Sequence, residues 1–149
     1  MLTDTTAITA RPRDVLFVLP PDVAVPAAHL AFRFPPLGPA VVAACVPRLR
    51  FQALDLALEL HHHPDEDLAL FADDATIHRH LEVRRDERVE AFLDRLAGRM
   101  RALADTCEYV AISVDRGSQI SFAAALSVYV KERWDKRVIV GGVARLTTA

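Results

Sequence analysis

Cysteine is scarce in this chain of 149 residues, which holds only Cys45 and Cys107. Both sit in apolar stretches, so they read as buried free thiols of a reducing compartment rather than a disulfide or a reactive thiol. No Cys-x-x-x-Cys-x-x-Cys occurs, so the chain cannot build a three-cysteine iron–sulfur site by itself. A basic excess is missing too: 18 Lys and Arg stand against 20 Asp and Glu, a formal net charge of -2. That balance gives no sign of a nucleic-acid partner. No run approaches the roughly 20 apolar residues that span a bilayer. Met1 to Arg13 carries its arginines after its apolar residues, the wrong order for a signal peptide. A Gly-x-x-x-x-Gly-Lys-Ser/Thr phosphate loop is absent, as is any assignable Ser-His-Asp or Cys-His set. What is there is 52% hydrophobic and 26% charged, an ordinary globular composition expected in the cytoplasm. The length suits one domain, residues 14–149, behind a flexible tail at 1–13.

Asp14 to Leu19 is a continuous β-prone apolar run, closed by Pro20-Pro21-Asp22. A strand apolar on both faces suits the middle of a parallel sheet, and the prolines end it because they cannot donate to a ladder. A Pro-rich connection follows to residue 36, then a small-residue helix from Leu37 to about Val46, limited by Pro47. Phe51 to Leu56 is a weaker strand candidate, and Leu54 to Leu60 fits a helix equally well. Residues 61–88 read as a polar, variable excursion with one short helix near Ala75 to Val83. Val89, Phe92, Leu93, Leu96, Met100 and Leu103 then make one helical stripe, with Glu90, Asp94, Arg95, Arg99 and Arg101 on the wet side. Tyr109 to Val114 is a third strand, and Gln119 to Trp134 a helix with Ser118 placed to cap its amides. Lys136 to Val140 is the fourth strand, ended by Gly141-Gly142. Strand and helix alternate throughout, which predicts right-handed crossovers and a doubly wound, flavodoxin-like parallel sheet.

In such sheets ligands bind beyond the carboxyl ends of the strands, where strand order reverses. For the order 2-1-3-4 three loops converge there: Pro20 to Val23, Ser113 to Gln119, and Gly141 to Ala144. Gly117 and the glycine pair let a backbone approach a ligand closely, and Ser113 and Ser118 add hydroxyls. The same residues are also what any strand-to-helix turn needs, so spacing alone locates a pocket and leaves the ligand open.

Val15-Leu16-Phe17-Val18-Leu19-Pro20-Pro21 and Phe34-Pro35-Pro36-Leu37-Gly38-Pro39-Ala40 resemble the opening of a known family. It is the N-terminal cobalamin (B12)-binding domain of B12-dependent radical SAM proteins. There a strand ends in Pro-Pro and a Pro-Leu-Gly segment opens a small-residue helix. Ala53-Leu54-Asp55-Leu56, Tyr109 to Val114 and Val138 to Gly142 resemble its next three strands, in the same order. The resemblance implies a Rossmann-like domain holding a corrinoid on the carboxyl edge of its sheet. The implied binding residues are Pro20, Pro21, Asp22, Leu37, Gly38, Ser113, Val114, Asp115, Gly117, Ser118, Gly141 and Gly142. Ser113 and Gly141-Gly142 fall where the wider fold lines the slot for the nucleotide tail. The Asp-x-His-x-x-Gly segment that supplies a cobalt ligand elsewhere is replaced by Pro20-Pro21-Asp22-Val23, so no protein histidine ligand is expected. S-adenosylmethionine and a 4Fe-4S cluster would belong to a separate or downstream radical SAM domain or partner chain, and no catalytic residue is assigned here. The family runs on past Gly-Gly to a fifth strand, so the resemblance also implies a domain truncated at its C-terminus.

His61-His62-His63 with Asp65, Glu66 and Asp67 is the other cluster of note. Adjacent histidines point different ways and no i, i+4 pair organises them, so a solvated loop is the expectation, not a metal site. Arg84-Arg85 with Arg88 reads as a solvated helix face. Two further functions compete with the corrinoid module: a degenerate α/β domain serving protein contacts, and a small nucleotide-binding α/β protein.

Overall fold

Asp14–Leu19 forms β1, whose Val15, Leu16, Val18 and Leu19 are all buried. Alternate residues of a strand face opposite ways, so both faces of β1 are covered, as an all-apolar run requires. The computed structural model describes residues 14–24, 37–115 and 117–142. The tail at 1–13, the connection at 25–36 and the residues beyond Gly142 lie outside them.

Leu37–Cys45 forms α1; Arg50–Asp55 forms β2; Leu56–His62 forms α2. The ambiguous stretch from Leu54 resolves at Asp55, whose carboxylate accepts from the amides of Ala57 and Leu58 at 2.9 and 3.3 Å and so starts the helix. A 3-10 segment at Glu66–Ala72 and then α3, Asp74–Glu82, follow. Glu87–Ala104 is α4, capped by Asp86. Tyr109–Ser113 is β3, Ile120–Trp134 is α5, and Arg137–Gly141 is β4.

The four strands are all parallel, in the order β2-β1-β3-β4. The fold is therefore the flavodoxin-like, Rossmann-like α/β arrangement that the alternation implies. β1 and β3 are the inner strands. β4 is an outer one, and its Ile139 and Val140 are 53% and 52% exposed. Consecutive residues point to opposite faces, so β4 carries exposed apolar surface on both. Among the described residues no helix is long and apolar enough to cross a membrane.

The expected stripe of α4 is buried along Val89, Phe92, Leu93, Leu96 and Met100, with Leu103 partly buried. Its wet side is less idle than expected. Arg95 bridges Asp65 at 2.8 Å and Asp67 at 2.9 Å, and Asp94 accepts from the Tyr129 hydroxyl at 2.5 Å. Burial, then that carboxylate, push the Tyr129 phenol up to about 12.

Two expectations need correction. Cys107 is buried, but Cys45 is exposed at the end of α1, because between Gly38 and Cys45 that helix turns only Pro39 fully inward. The excursion at 61–88 is not a polar detour either. Phe71 (1% exposed), Ile77 and His80 enter the core, and the Phe71 ring lies 5.1 Å from Phe92 and 4.9 Å from Phe122. Those rings tie the 3-10 segment to α4 and α5 by tilted contacts of the kind that add to area burial. Phe71→Ala should therefore destabilise the whole domain, by about 3–5 kcal/mol. Urea denaturation followed by circular dichroism measures this; a loss below about 1 kcal/mol would return 61–88 to the status of a peripheral loop.

Candidate functional site at the carboxyl edge of the sheet

Parallel pairing brings the ends of β1, β3 and β4 to one edge, and hydrogen bonds lock the loops that leave them. The Ser118 hydroxyl donates to Asp22 Oδ1 at 2.5 Å, and the Ala24 amide donates to the same oxygen at 3.1 Å. Gln119 spans the same gap. Its Nε2 donates to the Pro20 carbonyl at 2.8 Å, while its Oε1 accepts from the Asp115 amide at 2.8 Å. On the other side the Val114 amide donates to the Gly141 carbonyl at 2.7 Å, and Ser113 lies beside Gly141 in the β3–β4 ladder.

Burial separates the expected residues into two groups. Pro20, Pro21, Asp22 and Val114 are interior, with Asp22 only 2% exposed. Ser113 and Ser118 are half-buried, and Asp115, Gly117, Gly141 and Gly142 are exposed. The first group builds the edge, and the second is what a ligand can reach. Leu37 and Gly38 open α1, which packs on β2, and no described hydrogen bond joins them to this network. Asp55, at the end of β2, spends its carboxylate on the start of α2.

Ser118 departs from its expected role. A 3-10 turn, Gly117–Gln119, precedes α5, and the helix has no side-chain cap. The Ser118 hydroxyl turns instead to Asp22, because a buried carboxylate needs donors more than a helix end needs one acceptor. Gln119 is the residue that sequence reading passed over. A glutamine preceding a largely apolar helix gives no signal, since its importance comes from Pro20, 99 positions away.

The glycines also differ from one another. Gly142 has φ +136°, and a Cβ there would stand 2.1 Å from the Val114 carbonyl oxygen. Its smallness serves the chain's own backbone. At Gly117 and Gly141 a Cβ would meet nothing within 4 Å, so open space lies over both. Gly142→Ala should accordingly cost about 1–3 kcal/mol from strain and collision, while Gly141→Ala stays within about 0.5 kcal/mol of wild type. Paired thermal melts measure this, and equal losses would refute the distinction.

Among the described residues no three of His, Cys, Asp and Glu gather to hold a metal ion. His62 and His63 are exposed and His78 pairs with Glu82 at 3.3 Å. His80 is different, being 2% exposed. Its Nδ1 accepts from the Asp86 amide at 2.9 Å, and its Nε2 lies 3.4 Å from Glu90 Oε1. A nitrogen that accepts carries no proton, so the ring is neutral with its hydrogen on Nε2. It fixes the turn between α3 and α4.

No family model matches the chain, and no curated protein or solved structure matches it.

Burial holds the His80 imidazole below its ordinary value of 6.5, and the Glu90 carboxylate offsets only part of that. The unfolded chain then takes the proton first. Stability from His80 is complete above about pH 6.5 and is lost as pH falls towards the lower folded-state value. Melting temperature should fall as pH drops below about 6.5 in the wild type and less steeply in His80→Gln. Superimposable pH profiles for the two proteins would contradict the assignment.

Proposed function

We propose that this chain is a cobalamin-binding module that holds the corrinoid against the carboxyl edge of its sheet and works with a radical SAM domain. The observation that carries the reading is the pairing of Ser113 with Gly141 at the ends of β3 and β4, with open space over the glycine. A serine and a Cβ-less strand end side by side offer a hydroxyl and bare backbone to the polar tail of a large, flat ligand. The interior residues Asp22 and Gln119 fix that edge in advance, which lowers the ordering cost of binding. In this reading the corrinoid is held by its periphery and no histidine of this chain binds its metal. When bound, such a cofactor supplies methyl-transfer chemistry. The reacting substrate, the S-adenosylmethionine and the iron–sulfur cluster all belong to the partner domain or chain. A cytoplasmic setting is part of the same proposal.

A second reading rests on a separate observation. α1 contains no charged side chain, yet Val41 and Val42 are 61% and 47% exposed, and β4 exposes Ile139 and Val140. Apolar surface of this kind marks protein contacts. A domain that docks on another chain and binds nothing else would show it too.

Hydroxocobalamin separates the two readings. Mixed with the protein and desalted, it should leave a stoichiometric coloured complex. Gly141→Val should abolish retention while the melting temperature stays near wild type, because its side chain fills open space. Folded but colourless wild-type protein would leave the docking reading standing alone.

A further inference from the structure

The turn between α3 and α4 lines a surface cavity of about 490 Å³ with Arg79, Arg84, Arg85 and Arg88, and with Asp86 and Glu87. The charges there are not equally engaged. Arg85 is held by Glu132 at 2.6 Å and Arg88 by Asp67 at 2.6 Å. Asp86 directs its carboxylate to the amides of Arg88 and Val89, so it faces its own helix. Arg79 reaches only the Thr76 hydroxyl at 3.4 Å, and the Arg84 side chain has no partner among the described residues. Neither guanidinium makes a direct ion pair, although Asp73 interacts with Arg79 across Thr76 and Glu87 shares the cavity wall.

The frame beneath them is fixed. The amides of Val83 and Arg84 both donate to the Arg79 carbonyl at 3.0 Å, and buried His80 accepts from the Asp86 amide. A turn pinned at both ends presents its side chains from a defined backbone, which reduces what a ligand must order. The helix end contributes little, since Asp86 already occupies it. The recognising groups are the two planar guanidinium forks, which match phosphate oxygens in pairs.

We infer that this cavity binds a small phosphate-bearing anion between Arg79 and Arg84, with Arg85 and Arg88 as flanking walls. The site is on a different part of the molecule from the sheet edge and does not depend on the corrinoid reading. Inorganic pyrophosphate is the probe. Titrated into isotope-labelled protein at low ionic strength, it should saturate and shift amide resonances confined to residues 79–88. Arg79→Gln/Arg84→Gln should weaken binding at least tenfold. Arg99→Gln, which removes an exposed charge elsewhere, should change it less than twofold, and all variants should keep the wild-type circular-dichroism spectrum. Non-saturating shifts spread over the surface, or equal weakening by the Arg99 variant, would overturn the inference.

Discussion

Everything in this domain follows from β1 having to be covered on both faces. An all-apolar strand placed between β2 and β3 forces helices onto each side of the sheet, because parallel strands cannot be joined without crossovers. Those crossovers return the chain so that the loops after β1, β3 and β4 leave from one edge. The buried Asp22 and Gln119 then close the distance between the first two loops with side-chain hydrogen bonds. A carboxylate in that position is sustained by its donors, and the loops are ordered as a result.

The alternation of strands and helices was readable from the residues because each inner strand is a short apolar run bounded by proline, aspartate or glycine. α4 was readable for the same kind of reason: Val89 to Met100 keeps one helical face. The excursion at 61–88 was opaque because its core contribution comes from isolated residues. Phe71 ends a short apolar run flanked by acids, Ile77 and His80 stand among polar residues, and no period betrays them. Phe71 packs on Phe92 and Phe122, both more than 20 positions away. Cys45 failed for the opposite reason. Its surroundings are apolar in sequence, but α1 presents most of that surface outward.

The loop ends at the sheet edge were placed correctly by topology alone, while their division of labour was not. Sequence treats Gly141 and Gly142 as one motif. In space one makes room for the chain's own carbonyl and the other leaves a vacancy over the sheet. Likewise Ser118 was legible as a helix-start residue, and only the fold reveals that Asp22 stands near enough to claim its hydroxyl. Short-range rules describe what a residue can do locally, and burial decides which of those options is taken.

The uneven fate of the two cysteines makes this protein easy to instrument. Cys45 is exposed at the end of the apolar helix α1, while Cys107, between α4 and β3, is 3% exposed. A maleimide dye added to the native protein would thus label a single position without mutagenesis. That position shares α1 with the exposed Val41 and Val42. Its emission would report in real time on whatever covers this surface, in purified mixtures or in extract.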